Sequence, residues 1–259
     1  MPIKFTETDD STVVTALRLH AHRTRRLHLS GAGADPTKLT ITSTDRQVIH
    51  STHITLYDGP GGIFTVDFLV GKPGQSTLEA KHGGDTAALP VTVVPPIAYP
   101  PLGSLKGAIV RVLLAESFSP LAFNEPDIKT GMQWMLVVLQ NHSRNPAHFG
   151  GNAGDHTLLG AIKADKPVQV AGFDRYPHID GVQLKVLNEI LRIANNDDDA
   201  RQSAYIRHID TALDVATHPI IKDPCPTALT GWFQIGKGDP GRGYVLWKPM
   251  AGNNFYTSK

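Results

Sequence analysis

The chain has 259 residues, a formal net charge of +1 from 25 Lys and Arg against 24 Asp and Glu, and one Cys, Cys225. That length suits one large or two modest domains with sizeable cores. The balanced, scattered charge excludes binding to nucleic acid or an anionic membrane by bulk electrostatics, and a single Cys excludes an internal disulfide.

The N-terminus, MPIKFTETDDSTVV, is polar and acidic, without a charged segment followed by an apolar stretch, so no Sec signal is visible. No apolar run reaches the 18 residues that a membrane-crossing helix needs. From Thr12 to Val94 the pattern has period two, in stretches such as RRLHLS, KLTITST and GIFTVDFLVG, separated by the turn signals GAGADP, DGPGG, KPGQ and HGGD. Seven short strands at this spacing predict an antiparallel sandwich of immunoglobulin-like type over residues 1–97. Alternation puts His20, His22, His28, His50 and His53 on its solvated face, and they lack the close spacing of metal ligands. A stiff Pro-rich segment, PPIAYPPLG from Pro95 to Gly103, then marks a domain boundary, with residues 98–103 as linker.

Beyond the linker the period turns helical. Helices are expected over Ser104–Phe118, Thr130–His142, about His156–Ala164, Ile179–Asn196 and Asp199–His218, followed by two short strands in TGWFQIGKGDPGRGYVLW. The expected class for residues 104–259 is therefore mainly α (α+β) with a small β-hairpin. In the first helix, SLKGAIVRVLLAESF, Leu105, Ile109, Val112, Leu113 and Glu116 share one stripe, with Ser104 as N-cap. Glu116 thus points where a core should be. A carboxylate there must be paired, protonated or open to a cleft, because burial without a partner raises its pKa, which is how a general acid is made. A salt bridge to one of the Lys or Arg residues is the bland alternative.

Residues Lys106–Tyr256 resemble the cell wall hydrolase family that includes the spore cortex-lytic enzymes. The likeness is carried by VRVLLAESF and GMQWMLVVLQNHSR, which place Glu116 on the family's catalytic Glu and Asn141 on the Asn of its second helix. VAGFDRYP matches the Gln-Phe segment at Phe173 and departs from it at Gly172. HPIIKDPCPTALTGWFQ matches the Asp-Pro-Thr turn at Asp223, Pro224 and Thr227, with an extra Cys-Pro and a shifted Gly231. GNNFY matches the terminal motif at Gly252, Asn253, Phe255 and Tyr256. The resemblance implies a lysozyme-like domain that cuts the β-1,4 bond between N-acetylmuramic acid and N-acetylglucosamine, with no cofactor and a peptidoglycan strand as partner.

A second carboxylate would come from Glu125, Asp174 or Asp223, with Asp127 a further loop acid; a lytic transglycosylase manages with one, since a substrate hydroxyl closes a 1,6-anhydro ring. Ser119 and Asn141 are candidates for bonding near Glu116 or for capping helix ends. Phe173, Tyr176, Trp232, Phe233, Tyr244, Trp247, Asn253 and Tyr256 are candidates for a sugar groove or for core. Competing chemistries are a Cys225 peptidase using His218 or His178, and a zinc amidase using His142, His148 and His156, although no HExxH is present. A non-enzymatic wall-binding or structural protein is the alternative of another class. The visible lack of a leader resembles antibacterial effectors of type VI secretion, which act in a target cell's periplasm and are met by an immunity protein or a secretion-machine component; use as a phage tail enzyme or a holin-assisted endolysin explains it equally.

Overall fold

Period-two patterning in the first third of the chain becomes eight strands in two four-stranded sheets in the computed structural model of the protein. The structure describes all residues except 1, 10–11, 33–34, 59–61, 219–220, 237–240 and 242. Parts of the turns GAGADP and DGPGG, of the HPIIKDP segment and of the loop GKGDPGRG lie outside the described residues. The chain divides into two compact units, Met1–Ile97 with Asn195–Asp197, and Ala98–Ala194 with Asp198–Lys259.

In the first unit β1 (Lys4–Thr6), β3 (Thr24–Ser30), β6 (Ile63–Val70) and β5 (Ile49–Asp58) form one sheet in the order β1-β3-β6-β5. Strands β2 (Leu17–His20), β8 (Asp85–Val94), β7 (Gly74–His82) and β4 (Leu39–Ser43) form the other, in the order β2-β8-β7-β4. All pairings are antiparallel except β2 with β8. Alternate residues fill an immunoglobulin-like core that includes Leu27, Leu29, Phe64, Phe68, Leu78 and Leu89. His22, His50 and His53 face solvent as expected, whereas His20 and His28 are buried. Both sit on buried runs at strand ends, where period two gives way to continuous burial.

The second unit is built on α1 (Leu105–Glu116), α2 (Glu125–Arg144), α3 (Leu158–Ile162), α4 (Gly181–Ala194) and α5 (Gln202–Thr217), with β9 (Gly231–Gln234), β10 (Tyr244–Met250) and β11 (Asn253–Ser258). Helix α1 is buried continuously from Gly107 to Ala115 and packs on the other four helices. Side chains such as Ile109, Leu113 and Leu114, all within 1% of full burial, contribute ~1.5–3 kcal/mol each. Helix α2 starts five residues earlier than its apolar periodicity suggested, because Asn124 Oδ1 accepts from Asp127 N at 2.9 Å and Pro126 suits the first turn. Among the described residues no helix is long and apolar enough to cross a membrane.

The expectation of a mainly α, lysozyme-like C-terminal domain with a small hairpin is corrected here. The chain as described is mainly β, with eleven strands in three sheets, and the last of these is a three-stranded sheet in the order β10-β11-β9. The terminal GNNFY segment is its central strand, paired on both sides. A two-residue connection makes this possible: Ala251 and Gly252 have φ of 44° and 80°, the left-handed pair of a type I′ hairpin between Met250 and Asn253. Ala-Gly is a weak signal for that turn, so the strand read as a tail.

Candidate active site

Three segments bring neutral donors onto one acid. Glu116 is the last residue of α1, which ends because Ser117 turns extended (φ −81°, ψ 155°) while its N–H still bonds Leu113 O. Trp232 Nε1 donates to Glu116 Oε2 at 3.4 Å, and Gln183 Nε2 donates to Glu116 Oε1 at 3.2 Å. Among the described residues these are the hydrogen bonds of Glu116, and no Lys or Arg pairs with it. The side chain is half-buried, and burial pushes its carboxyl above the usual carboxylate range, against the Trp232 bond, which favours the ionised form. The partial negative charge at the end of α1 acts in the same direction as burial.

Local sequence explains both donors. Asp180 Oδ1 accepts from Val182 N at 3.1 Å and Gln183 N at 2.9 Å, capping α4. Asp180-x-x-Gln183 has the form of a capping box, yet the Gln183 amide turns away from its own helix to Glu116 and to Ala171 O at 3.3 Å. Gly172 has φ of 78° and lies so close to Asp180 that a Cβ would come within 2.5 Å of its carboxyl carbon. That explains glycine where the resembled family has Gln. Trp232 is held by the turn before β9: Asp223 Oδ1 accepts from Cys225 N at 2.8 Å, and its Oδ2 accepts from Leu229 N at 2.9 Å and Asn141 Nδ2 at 2.7 Å.

Of the residues expected at the site, the structure joins Glu116 and Trp232 directly. Asn253 lies opposite Gln234 and two residues from Phe255, which faces Trp232 across the sheet; Asn253 is buried, with both side-chain polar atoms lacking a hydrogen-bond partner among the described residues. Asn141 does not reach Glu116. It is a buried clamp between α2 and the β9 turn, bonding Asp223, Leu229 O at 2.8 Å and Arg144. Ser119 is exposed, with its Oγ accepting from Leu121 N. Phe173 and Tyr176 are core, the Tyr176 hydroxyl bonding Leu102 O. Tyr256 is buried beside Phe233, and Trp247 packs on Trp134 with ring centres 4.7 Å apart.

None of the second-carboxylate candidates is a partner of Glu116. Asp223 is the turn staple just described; Glu125 faces Arg207 at 3.7 Å in the open, and Asp174 lies 3.8 Å from Arg175. Gln183 was missed because its helix-capping pattern explains it without a ligand. The other chemistries lose their geometry. Cys225 Sγ is buried against Thr227 Oγ1 at 3.4 Å, and His142 and His156 each place a ring nitrogen on a backbone carbonyl, Thr230 O and Ser143 O.

No family model matches the chain, and no curated protein matches it. Solved structures do resemble it. Domains 4 and 5 of the S-layer protein SbsC are 18% identical, with a TM-score of 0.26 over 31% of this chain and 42% of that one. The adhesin InvE of Yersinia pseudotuberculosis is 15% identical over 33% of this chain and 25% of its own, with a TM-score of 0.25. The titin M1 domain is 10% identical over 37% of this chain and 95% of its own, with a TM-score of 0.24. This chain spans under half of the S-layer piece. These likenesses are to immunoglobulin-like and S-layer domains, none of them lysozyme-like, and at such scores they speak to no activity.

Proposed function

We propose that the chain cleaves the β-1,4 glycosidic bond between N-acetylmuramic acid and N-acetylglucosamine in peptidoglycan, with Glu116 as general acid. The observation that supports this most is the setting of Glu116: a half-buried carboxyl held by an indole N–H and a carboxamide, with no cation among the described residues to lock it ionised. A carboxyl whose pKa burial raises holds its proton to higher pH than an exposed one, and protonating the glycosidic oxygen requires that proton. Since Asp223, Glu125 and Asp174 have other attachments, the single-acid route is favoured: the leaving oxygen takes the Glu116 proton as the glycosidic bond breaks, a substrate hydroxyl bonds the anomeric carbon, and that hydroxyl's proton passes to the Glu116 carboxylate.

Purified sacculi provide the test. Wild-type protein is expected to clear turbidity and release soluble muropeptides, and Glu116→Gln to lose ~10²–10⁴-fold of that rate. Fragments with 1,6-anhydro ends, lighter by one water than reducing ends, would mark transglycosylation. If the wild type releases nothing, the glycosidase reading falls and wall binding without cleavage takes its place.

A further inference from the structure

A cavity of 370 Å³ opens at the residue after the acid. Its apolar walls come from Leu114 and Phe118, from Val186 and Ile190 on α4, and from Tyr205 on α5, with Ser117 and His208 as neutral polar groups and the exposed Lys185 and Glu189 of α4 also in the lining. Ser117 follows Glu116 in the chain, and Val186 lies one turn along α4 from Gln183, while Glu116 itself does not line the cavity. Ser117 Oγ lies 3.0 Å from His208 Nε2, while His208 Nδ1 is buried without a hydrogen-bond partner among the described residues. A second concavity of 220 Å³, between α2 and α5, shares Pro120 and His208 with the first.

The volume is at the low end for a ligand pocket, room for one ring rather than several. We infer that this cavity is a subsite for one N-acetylated sugar ring, with Ser117 and His208 reading the acetamido group. The inference rests on the glycosidase reading above. An amide with its methyl offers one donor, one acceptor and a small apolar end. The cavity offers the complement: a hydroxyl, an imidazole and an aliphatic and aromatic wall for the ring's apolar face. His208 is only 3% exposed, and burial holds it down to about 4, so it is neutral at pH 7 and can both donate and accept. A deacetylated sugar would bring an ammonium beside the Lys185 cation and a Glu189 carboxylate that Arg192 already holds at 2.6–2.7 Å, and lose its hydration without gaining an unpaired anion.

The test uses the full chain carrying Glu116→Gln, so that ligand is not consumed, and titrates tri-N-acetylchitotriose against triglucosamine by NMR. The acetylated trimer should bind at least about tenfold more tightly. Val186→Trp, which fills the mouth, and Ser117→Ala should each weaken it, with His208 ring signals shifting on binding to the Glu116→Gln protein. Equal binding of the two sugars, or binding indifferent to Val186→Trp and Ser117→Ala, would overturn the subsite. Muropeptide release by the otherwise wild-type chain separates the two readings. Release without cavity-dependent binding condemns the subsite alone, and cavity-dependent binding without release condemns the glycosidase reading alone.

Discussion

Asp223 offers the sharpest separation between a chemical and a structural role. It matches a motif position and was a candidate second carboxylate, yet its two oxygens accept from Cys225 N, Leu229 N and Asn141 Nδ2 at 2.7–2.9 Å. Hydrogen bonds to an ionised group are worth ~1.5–3 kcal/mol each in buried settings and nearer 1 where the group is partly wet. For this half-buried carboxylate three such bonds give a loss of ~3 kcal/mol for Asp223→Ala. In a unit of this size that lowers Tm by roughly 6–12 °C. Urea unfolding of Asp223→Ala and Glu116→Gln, beside muropeptide release by both, distinguishes the roles. The staple predicts a large stability loss for Asp223→Ala and almost none for Glu116→Gln. Activity of Asp223→Ala should fall only as far as Trp232 loses its position, and recover in part at lower temperature. Should Asp223→Ala keep full stability and abolish release, Asp223 is chemical and the single-acid route is wrong.

Removing a donor from Glu116 should leave its ionised form less favoured, so the alkaline limb of the pH–activity profile should move to higher pH in Trp232→Phe and in Gln183→Met; an unmoved limb in both would mean that Glu116 does not set it. Gly172→Ala should cost ~1–3 kcal/mol from its left-handed backbone alone, more from the clash with Asp180, and chemical denaturation would read it; stability equal to wild type would contradict the close approach. Burial holds both His142 and His208 down to about 4, against about 6.5 when unfolded. The unfolded chain therefore binds more protons below pH 6.5, so stability is full above that value and falls as pH drops toward 4, by up to ~3 kcal/mol for each ring. Urea midpoints between pH 7 and 4.5 would show this fall, smaller in His142→Phe, and a flat profile would refute the burial argument.

What the sequence disclosed and what it hid follow from one physical distinction. Patterns set by burial along a single element were legible: the period-two strands, the apolar all-round stripe of α1 and the misplaced acid at its end all follow from side chains spaced against one core. What escaped were residues whose role is decided between elements. Gln183 looks like the second half of a capping box, and only the approach of α4 to the end of α1 reveals that its amide serves Glu116. Asn141 and Asp223 look like site residues because amides and carboxylates so often are, and only their mutual 2.7 Å bond shows that each exists to hold the other. Strand β11 was hidden by an Ala-Gly turn whose two positive φ angles no local preference announces. The C-terminal sheet matters to the acid for the same reason: β9 is fixed on one side by β11 and at its start by the Asp223 turn, and that double attachment aims Trp232 at Glu116. A general acid needs a stable proton and a fixed direction. On the proposed reading of Glu116 as such an acid, burial strengthens its hold on the proton, and its direction comes from parts of the chain over a hundred residues away from it.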